Sequence, residues 1–222
     1  GKTAFVELAS ASGLHHLAAH ERDALRANTF GTGQVLRVAL EAGATRVILG
    51  VGGSASTDGG TGLAAALGYR FFDETGTELY PCGETLEQIT RIDDADVAFD
   101  FSKIRVEVAC DVTAPLFGPE GAARVYGPQK GATPEQVARL DEGLRRLARL
   151  RPGFDAAPGA GAAGGTGFGA MAFLNAQLRS GIDLVMELTR FDDHLDGVDL
   201  IITGEGKLDA QTLQGKLIGG IC

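Results

Sequence analysis

The chain has 222 residues and a formal net charge of −9, with 44% hydrophobic and 22% charged residues, so it can bury a core as one large domain or one domain and part of a second. The acidic balance, with no basic stripe, excludes a typical nucleic-acid binder and disfavours an anionic membrane surface. Three cysteines, Cys82, Cys110 and Cys222, are odd in number and far apart, and the opening "GKTAFVELAS" lacks a long apolar segment. The expectation is a soluble cytoplasmic protein with reduced thiols and no membrane or nucleic-acid partner. In chain order, Thr3–Ser10 alternates as a strand. Residues 31–44 place Val35, Leu36, Ala39 and Leu40 on one helical face, with Thr29 or Thr32 as cap and Gly43 as stop. "RVILG" (46–50) reads as a short buried strand and "TGLAAALG" (61–68) as a small-residue helix. "YRFFDETGTELY" (69–80) reads as a hairpin, and "KIRVEVACD" (103–111) as a strand. Thr133 caps a helix that carries Pro134 at its first position and ends before Pro152. Residues 169–181 and 182–191 read as helices, and "VDLIITGEG" (198–206) as a strand entering a glycine turn. Strands alternating with helices predict an α/β fold, and the hairpin predicts a mixed sheet with helices on its faces.

Four segments carry the residue types of a site. In "ILGVGGSASTDGGTG", glycines and hydroxyls lie between a strand and a helix, where bare amides make an anion cradle; Gly52, Gly53 and Ser54 are its candidate donors and Asp58 adds a carboxylate. The plainer reading is a turn in which Asp58 caps a helix. In "ACDVTAPLFGPEGAARVYGPQKGAT" (109–133), Asp111 follows a strand, where open α/β sheets hold ligand residues, and Lys130 offers a cation among small residues. The plainer reading there is a long surface loop with a solvated lysine. "PGAGAAGGTGFGA" (158–170) matches G-x-G-x-x-G, but no strand precedes it. Gly50, Gly52 and Ala55 fit the G-x-G-x-x-A variant better, with Asp73 about 20 residues on, which keeps an NAD(P)-dependent oxidoreductase as an alternative. "ITGEGKLDAQTLQGK" (202–216) interleaves Glu205, Lys207, Asp209 and Lys216 with glycine; acids beside cations suit phosphoryl transfer, although surface ion pairs are the plainer alternative. It is not a Walker A loop, because Leu217 follows Lys216. His15 and His16 have no acidic or thiol partner at metal spacing and read as a solvated pair.

In this order the segments resemble the glycerate kinase family, first bacterial type: "FGTG" at 30–33, "GGSASTDGG" at 52–60, "CDVTAPLFGPEGAARVYGPQKGAT" at 110–133, "PGAGAAGGTGFG" at 158–169 and "TGEGKLDAQTLQGK" at 203–216. The family's first glycine loop usually reads Ala-Thr-Asn-Asp-Gly-Gly; here Ser56 and Thr57 precede Asp58. The resemblance implies two α/β domains, one inserted in the other. Residues 1–205 would then form the inserted domain and 206–222 the start of the return to a second, Rossmann-like domain. It also implies ATP-dependent phosphorylation of D-glycerate with Mg²⁺, with 2-phosphoglycerate favoured over 3-phosphoglycerate and a homodimer as an option. A non-catalytic ligand-binding fragment is the other alternative. The expected roles put Asp209 first and Asp58 second as the group that orients or deprotonates the hydroxyl. Asp111 and Glu205 are candidate Mg²⁺ ligands. Lys216, Lys207 and Lys130 would bind phosphate or carboxylate, and Gly52, Gly53, Ser54, Gly164 and Gly165 would form the cradle.

Overall fold

The computed structural model describes residues 1–204. Its elements run β1 (Lys2–Glu7), α1 (Ala9–Ser12), α2 (Phe30–Glu41), β2 (Ala44–Gly50), α3 (Thr61–Ala66), β3 (Arg70–Phe72), β4 (Arg91–Asp93), β5 (Arg105–Ala109), α4 (Ala122–Tyr126), α5 (Pro134–Leu150), α6 (Ala162–Leu174), β6 (Gln177–Arg179) and α7 (Gly181–Thr189). The chain divides into two compact units, the first Gly1–Leu178 and the second beginning at Arg179; the expected boundary after residue 205 lies outside the described residues.

The main sheet has the order β1-β2-β5-β6, and β2 pairs in parallel with β1 and with β5. An inner parallel strand is covered on both faces and so reads as a continuous apolar run; Val47, Ile48 and Leu49 of β2 are all buried. Val47 and Leu49 join Val106 and Val108 of β5 in one core with Leu36 and Leu40 of α2, Leu63 of α3, Leu140, Leu144 and Leu147 of α5, and Phe168 of α6. Each such fully buried side chain contributes about 1.5–3 kcal/mol. Helix α5 follows the sequence closely. The Thr133 hydroxyl accepts from the Gln136 amide, the Gln136 side chain accepts from the Thr133 amide, Pro134 opens the first turn, and Val137, Leu140, Leu144 and Leu147 form the inward stripe.

The α/β class holds, but the antiparallel pairing is separate from the main sheet. β3 pairs with β4, and the predicted hairpin is present as a single antiparallel bridge between Phe72 and Glu78, with the Leu79 amide donating to the Phe71 carbonyl (2.8 Å). In α2 the buried face is Thr32, Gly33, Leu36 and Leu40, and Val35 turns outward. Thr29 stands at the head of α2 without capping it. The segment Ala162–Leu174 begins inside the glycine stretch, but Ala163, Gly164 and Gly165 are left-handed and break it with a kink, and β6 occupies part of the predicted helix. Residues 198–204 form no strand. In the second unit, the Ser180 hydroxyl caps α7 by accepting from the Asp183 amide. Among the described residues no helix is long and apolar enough to cross a membrane.

Candidate active site

A cleft of about 370 Å³ opens beyond the C-terminal ends of β2 and β5, the place where open α/β sheets bind ligands. Its walls come from three of the segments singled out in the sequence: Gly52, Gly53 and Ser54 after β2; Asp111, Tyr126, Gln129 and Lys130 after β5; and Ala162 and Ala163 at the head of α6.

The strip 52–54 is held from one side only. The Leu14 amide donates to the Gly53 carbonyl (2.8 Å) and the Ala55 amide to the Ser12 carbonyl (2.9 Å), flanking an antiparallel bridge between Gly13 and Ser54. In such a pair the amide between the two bonds points away from the partner strand. That accounts for the Ser54 amide; the amides of Gly52 and Gly53 likewise make no hydrogen bond to a described residue. Donors on neutral backbone attract an anion without adding a charge that must be buried when the site is empty.

Lys130 lies in a helical turn, Pro128–Lys130, that follows α4, and is 2% exposed. Its ammonium donates to the Ser54 hydroxyl (2.9 Å) and to the Ser56 carbonyl (2.5 Å). Burial lowers its pKa to about 8, and the Asp58 charge partly opposes that shift. The sequence alternative of a solvated lysine does not hold. Nor is the segment around it a bare loop, since α4 and this turn lie within it.

Asp58 is wholly enclosed and does not line the cleft. Its carboxylate accepts from the Thr29 amide (2.8 Å), the Thr29 hydroxyl (2.7 Å), and the amides of Gly60 (3.2 Å) and Gly62 (3.1 Å). Burial raises its pKa while these donors act to lower it. With four donors in place, no face of the carboxylate is open to a substrate hydroxyl or a metal ion. It ties the head of α2 to the head of α3 and so fixes the loop that carries Ser54 and Ser56. Gly164 and Gly165 are also buried and do not line the cleft; the Gly164 carbonyl accepts from the Gly59 amide (3.0 Å). They press one glycine loop onto the other rather than facing a ligand.

Asp111 is exposed on the cleft wall directly after β5. Beside it the half-buried Cys110 thiol donates to the Val112 carbonyl (3.3 Å), and burial pushes its pKa up. Among the described residues no three metal-ligating side chains cluster. Mg²⁺ takes one or two carboxylates together with phosphate oxygens and water, and Asp111 fits that partial role. Glu205, Lys207, Asp209 and Lys216 lie outside the described residues. The dinucleotide alternative loses its geometry. Asp73 accepts from Thr75 and Thr77 of its own turn, and the strand after α3 joins the separate antiparallel sheet instead of lying parallel beside β2. The sequence did not single out Tyr126, Gln129 or Leu14 as cleft residues. The first two precede Lys130 by four and one positions, a usable signal; Leu14 arrives only through the Gly13–Ser54 bridge.

The fold and cleft thus define an α/β protein whose strand ends gather backbone amides, one buried ammonium and one carboxylate around a small cleft. The glycerate kinase family model matches residues 1–222, and the chain belongs to that family. It is 46% identical to a glycerate kinase of Bacillus cereus, over 99% of this chain and 59% of the relative, and 43% identical to glycerate 2-kinase of Escherichia coli, over 100% and 59%. A crystal structure of a protein assigned as glycerate kinase 2 from Salmonella typhimurium LT2 superposes with a TM-score of 0.88 at 45% identity, covering 96% of this chain and 59% of that one. The chain therefore spans 59% of the length of these relatives.

Proposed function

We propose that this chain supplies one wall of the active site of an ATP-dependent kinase that phosphorylates D-glycerate, at the 2-hydroxyl in preference to the 3-hydroxyl. The observation that carries the reading is the row of unpaired amides at 52–54 converging with Lys130 at the strand ends, in a chain of this family. The name of the E. coli relative, glycerate 2-kinase, supports the 2-position. In this reading the Gly52–Ser54 amides and Lys130 hold an anionic group of the reactants. Asp111 contributes one carboxylate to Mg²⁺ with Glu205 as its partner, and the metal supplies charge neutralisation at phosphate oxygens. Asp209 orients or deprotonates the attacking hydroxyl, while Lys207 and Lys216 meet developing negative charge. Asp58, enclosed as it is, acts on this chemistry only by positioning the loop.

The test is a coupled assay on the full-length gene product with ATP·Mg²⁺ and D-glycerate, resolving both phosphoglycerate isomers. Formation of 2-phosphoglycerate is expected, and loss of turnover by orders of magnitude in Asp209→Asn with an unchanged melting curve. No nucleotide-dependent phosphoglycerate from the full-length protein overturns the reading; the 3-isomer as main product overturns the regiochemistry alone.

A further inference from the structure

The ammonium of Lys130 has a donor to spare. An ammonium has three N–H donors; two are committed to the Ser54 hydroxyl and the Ser56 carbonyl, and the third meets no described acceptor. Ser54 is itself 6% exposed. Since its oxygen accepts from Lys130, its hydroxyl proton is left to donate, and it meets no described acceptor either. Two buried donors, one charged and one neutral, therefore line the cleft together with the strip Gly52–Ser54. Among the described residues Lys130 is the only cation lining the cleft, and Asp111 stands on the same wall.

We infer that the part of the cleft lined by Lys130 and Ser54 is a monocarboxylate pocket, in which Lys130, Ser54 and the 52–54 amides bind the carboxylate of the hydroxy acid and the phosphoryl donor lies elsewhere in the cleft. The inference rests on the reading above and deepens it by dividing the cleft between the two substrates. Charge decides the assignment. A buried cation with one spare donor compensates the single charge of a carboxylate, whereas in the reading above the charge of the phosphoryl donor is met by the Mg²⁺ given to Asp111 and Glu205. The geometry agrees. A carboxylate offers two oxygens and about four acceptor positions, which one ammonium proton, one hydroxyl and two or three amides fill. Lys130 and Ser54 are thus specificity-determining residues: they select an acid over a neutral polyol.

Titration calorimetry on the full-length protein tests this with D-glycerate, with glycerol (the same carbon chain without the carboxylate) and with ATP·Mg²⁺. Wild-type protein should bind D-glycerate at least tenfold more tightly than glycerol. Lys130→Met should weaken D-glycerate at least tenfold and bring it close to glycerol, while ATP·Mg²⁺ affinity stays within about twofold. Ser54→Ala, which removes no charge, should weaken D-glycerate several-fold in the same direction, and it carries the test if Lys130→Met does not fold. If the variants weaken ATP·Mg²⁺ and leave D-glycerate unchanged, the pocket holds phosphate; the inference falls and the kinase assignment survives. If wild-type protein neither binds nor phosphorylates D-glycerate, the functional reading fails along with it.

Discussion

The two glycine-rich stretches have nearly the same composition and opposite duties. At Gly52 an added Cβ would meet nothing within 4 Å, and at Gly53 only the Ala9 methyl at 3.7 Å. At Gly164 it would sit 2.1 Å from the Ser56 carbonyl oxygen, at Gly169 2.5 Å from the Gly59 carbonyl oxygen, and at Gly165 2.8 Å from the Gly59 Cα. At 52 and 53 the first stretch leaves room for something that comes from outside, whereas its Gly59 and Gly60 already belong to the packed seam with the second. The second uses its small residues so that two backbones touch, which is how α6 is seated against the loop that bears Asp58. Glycine density therefore marks a close approach, and only the location of the neighbouring atoms says whether the visitor is a ligand or the protein itself.

The most severe break is expected at the second stretch. Gly164 has φ +68°, in the left-handed region, and the atom in its way is backbone that cannot swing aside. Gly164→Ala combines left-handed strain of about 1–2 kcal/mol with a steric overlap that must move the 56–59 loop. A total loss above about 4 kcal/mol is expected, read as a collapse of the thermal transition or failure to recover folded protein. A variant that melts within a few degrees of wild type would show that the two loops are not in rigid contact.

Next in size is Asp58→Asn. The substitution keeps shape but turns one acceptor into an amino group facing backbone N–H donors, and it removes the charge from four hydrogen bonds. Roughly 2–4 kcal/mol of stability should go, measured by chemical denaturation. The companion effect ties this loop to the cleft: Asp58 raises the pKa of Lys130, so in Asp58→Asn the lysine should titrate lower than in the parent. Loss of activity without loss of stability would instead return Asp58 to the chemistry.

These residues also show how far the sequence could be read. Periodicity and capping gave α5 nearly to the residue, because Thr133, Pro134 and the Leu140–Leu144–Leu147 stripe each act locally. Strand positions β2 and β5 followed from β-branched runs, and so did the placement of Asp111 after a strand end. Long-range partners were not legible. Nothing near Asp58 in sequence announces Thr29, twenty-nine positions away, as its main donor. Nothing near Lys130 announces that Ser54 and Ser56 hold its ammonium. The hairpin was legible only in part for a similar reason: the turn of Asp73–Thr77 and the Phe72–Glu78 bridge are there, but the ladder of β3 is completed by the distant β4.

The buried lysine gives the third test, through pH. Its folded-state pKa of about 8 lies below the ordinary lysine value of 10.5, so between those limits the unfolded chain holds the proton that the folded protein has lost. Unfolding then takes up a proton, and the contribution of Lys130 makes stability rise with pH across that window, by at most about 1.4 kcal/mol per pH unit; below pH 8 the cost of the buried charge is present in full. Urea denaturation at pH 7.5, 8.5 and 9.5, compared with Lys130→Met, isolates this slope, which should vanish in the variant. Ligand affinity should move the opposite way, because the anion needs the protonated form. An unchanged slope in Lys130→Met would mean that the ammonium keeps its proton throughout, for instance by drawing in water.

The smallest effect on stability is expected where the first stretch meets solvent, and it is the sharpest test of the contrast. Gly52 is exposed, has no left-handed backbone, and has open space where a methyl would go. Gly52→Ala should change folding free energy by no more than about 0.5 kcal/mol, and the reduced freedom of the unfolded chain favours a slight gain. The added methyl, however, stands on the strip whose amides face the cleft, where it competes with a ligand for contact at the backbone. Calorimetry should therefore show weakened D-glycerate binding in a protein that melts like wild type. The same methyl at Gly164 should do the reverse, removing the fold without ever touching a ligand. If Gly52→Ala binds as well as the parent, the strip is an ordinary surface turn and the anion is held from the opposite wall.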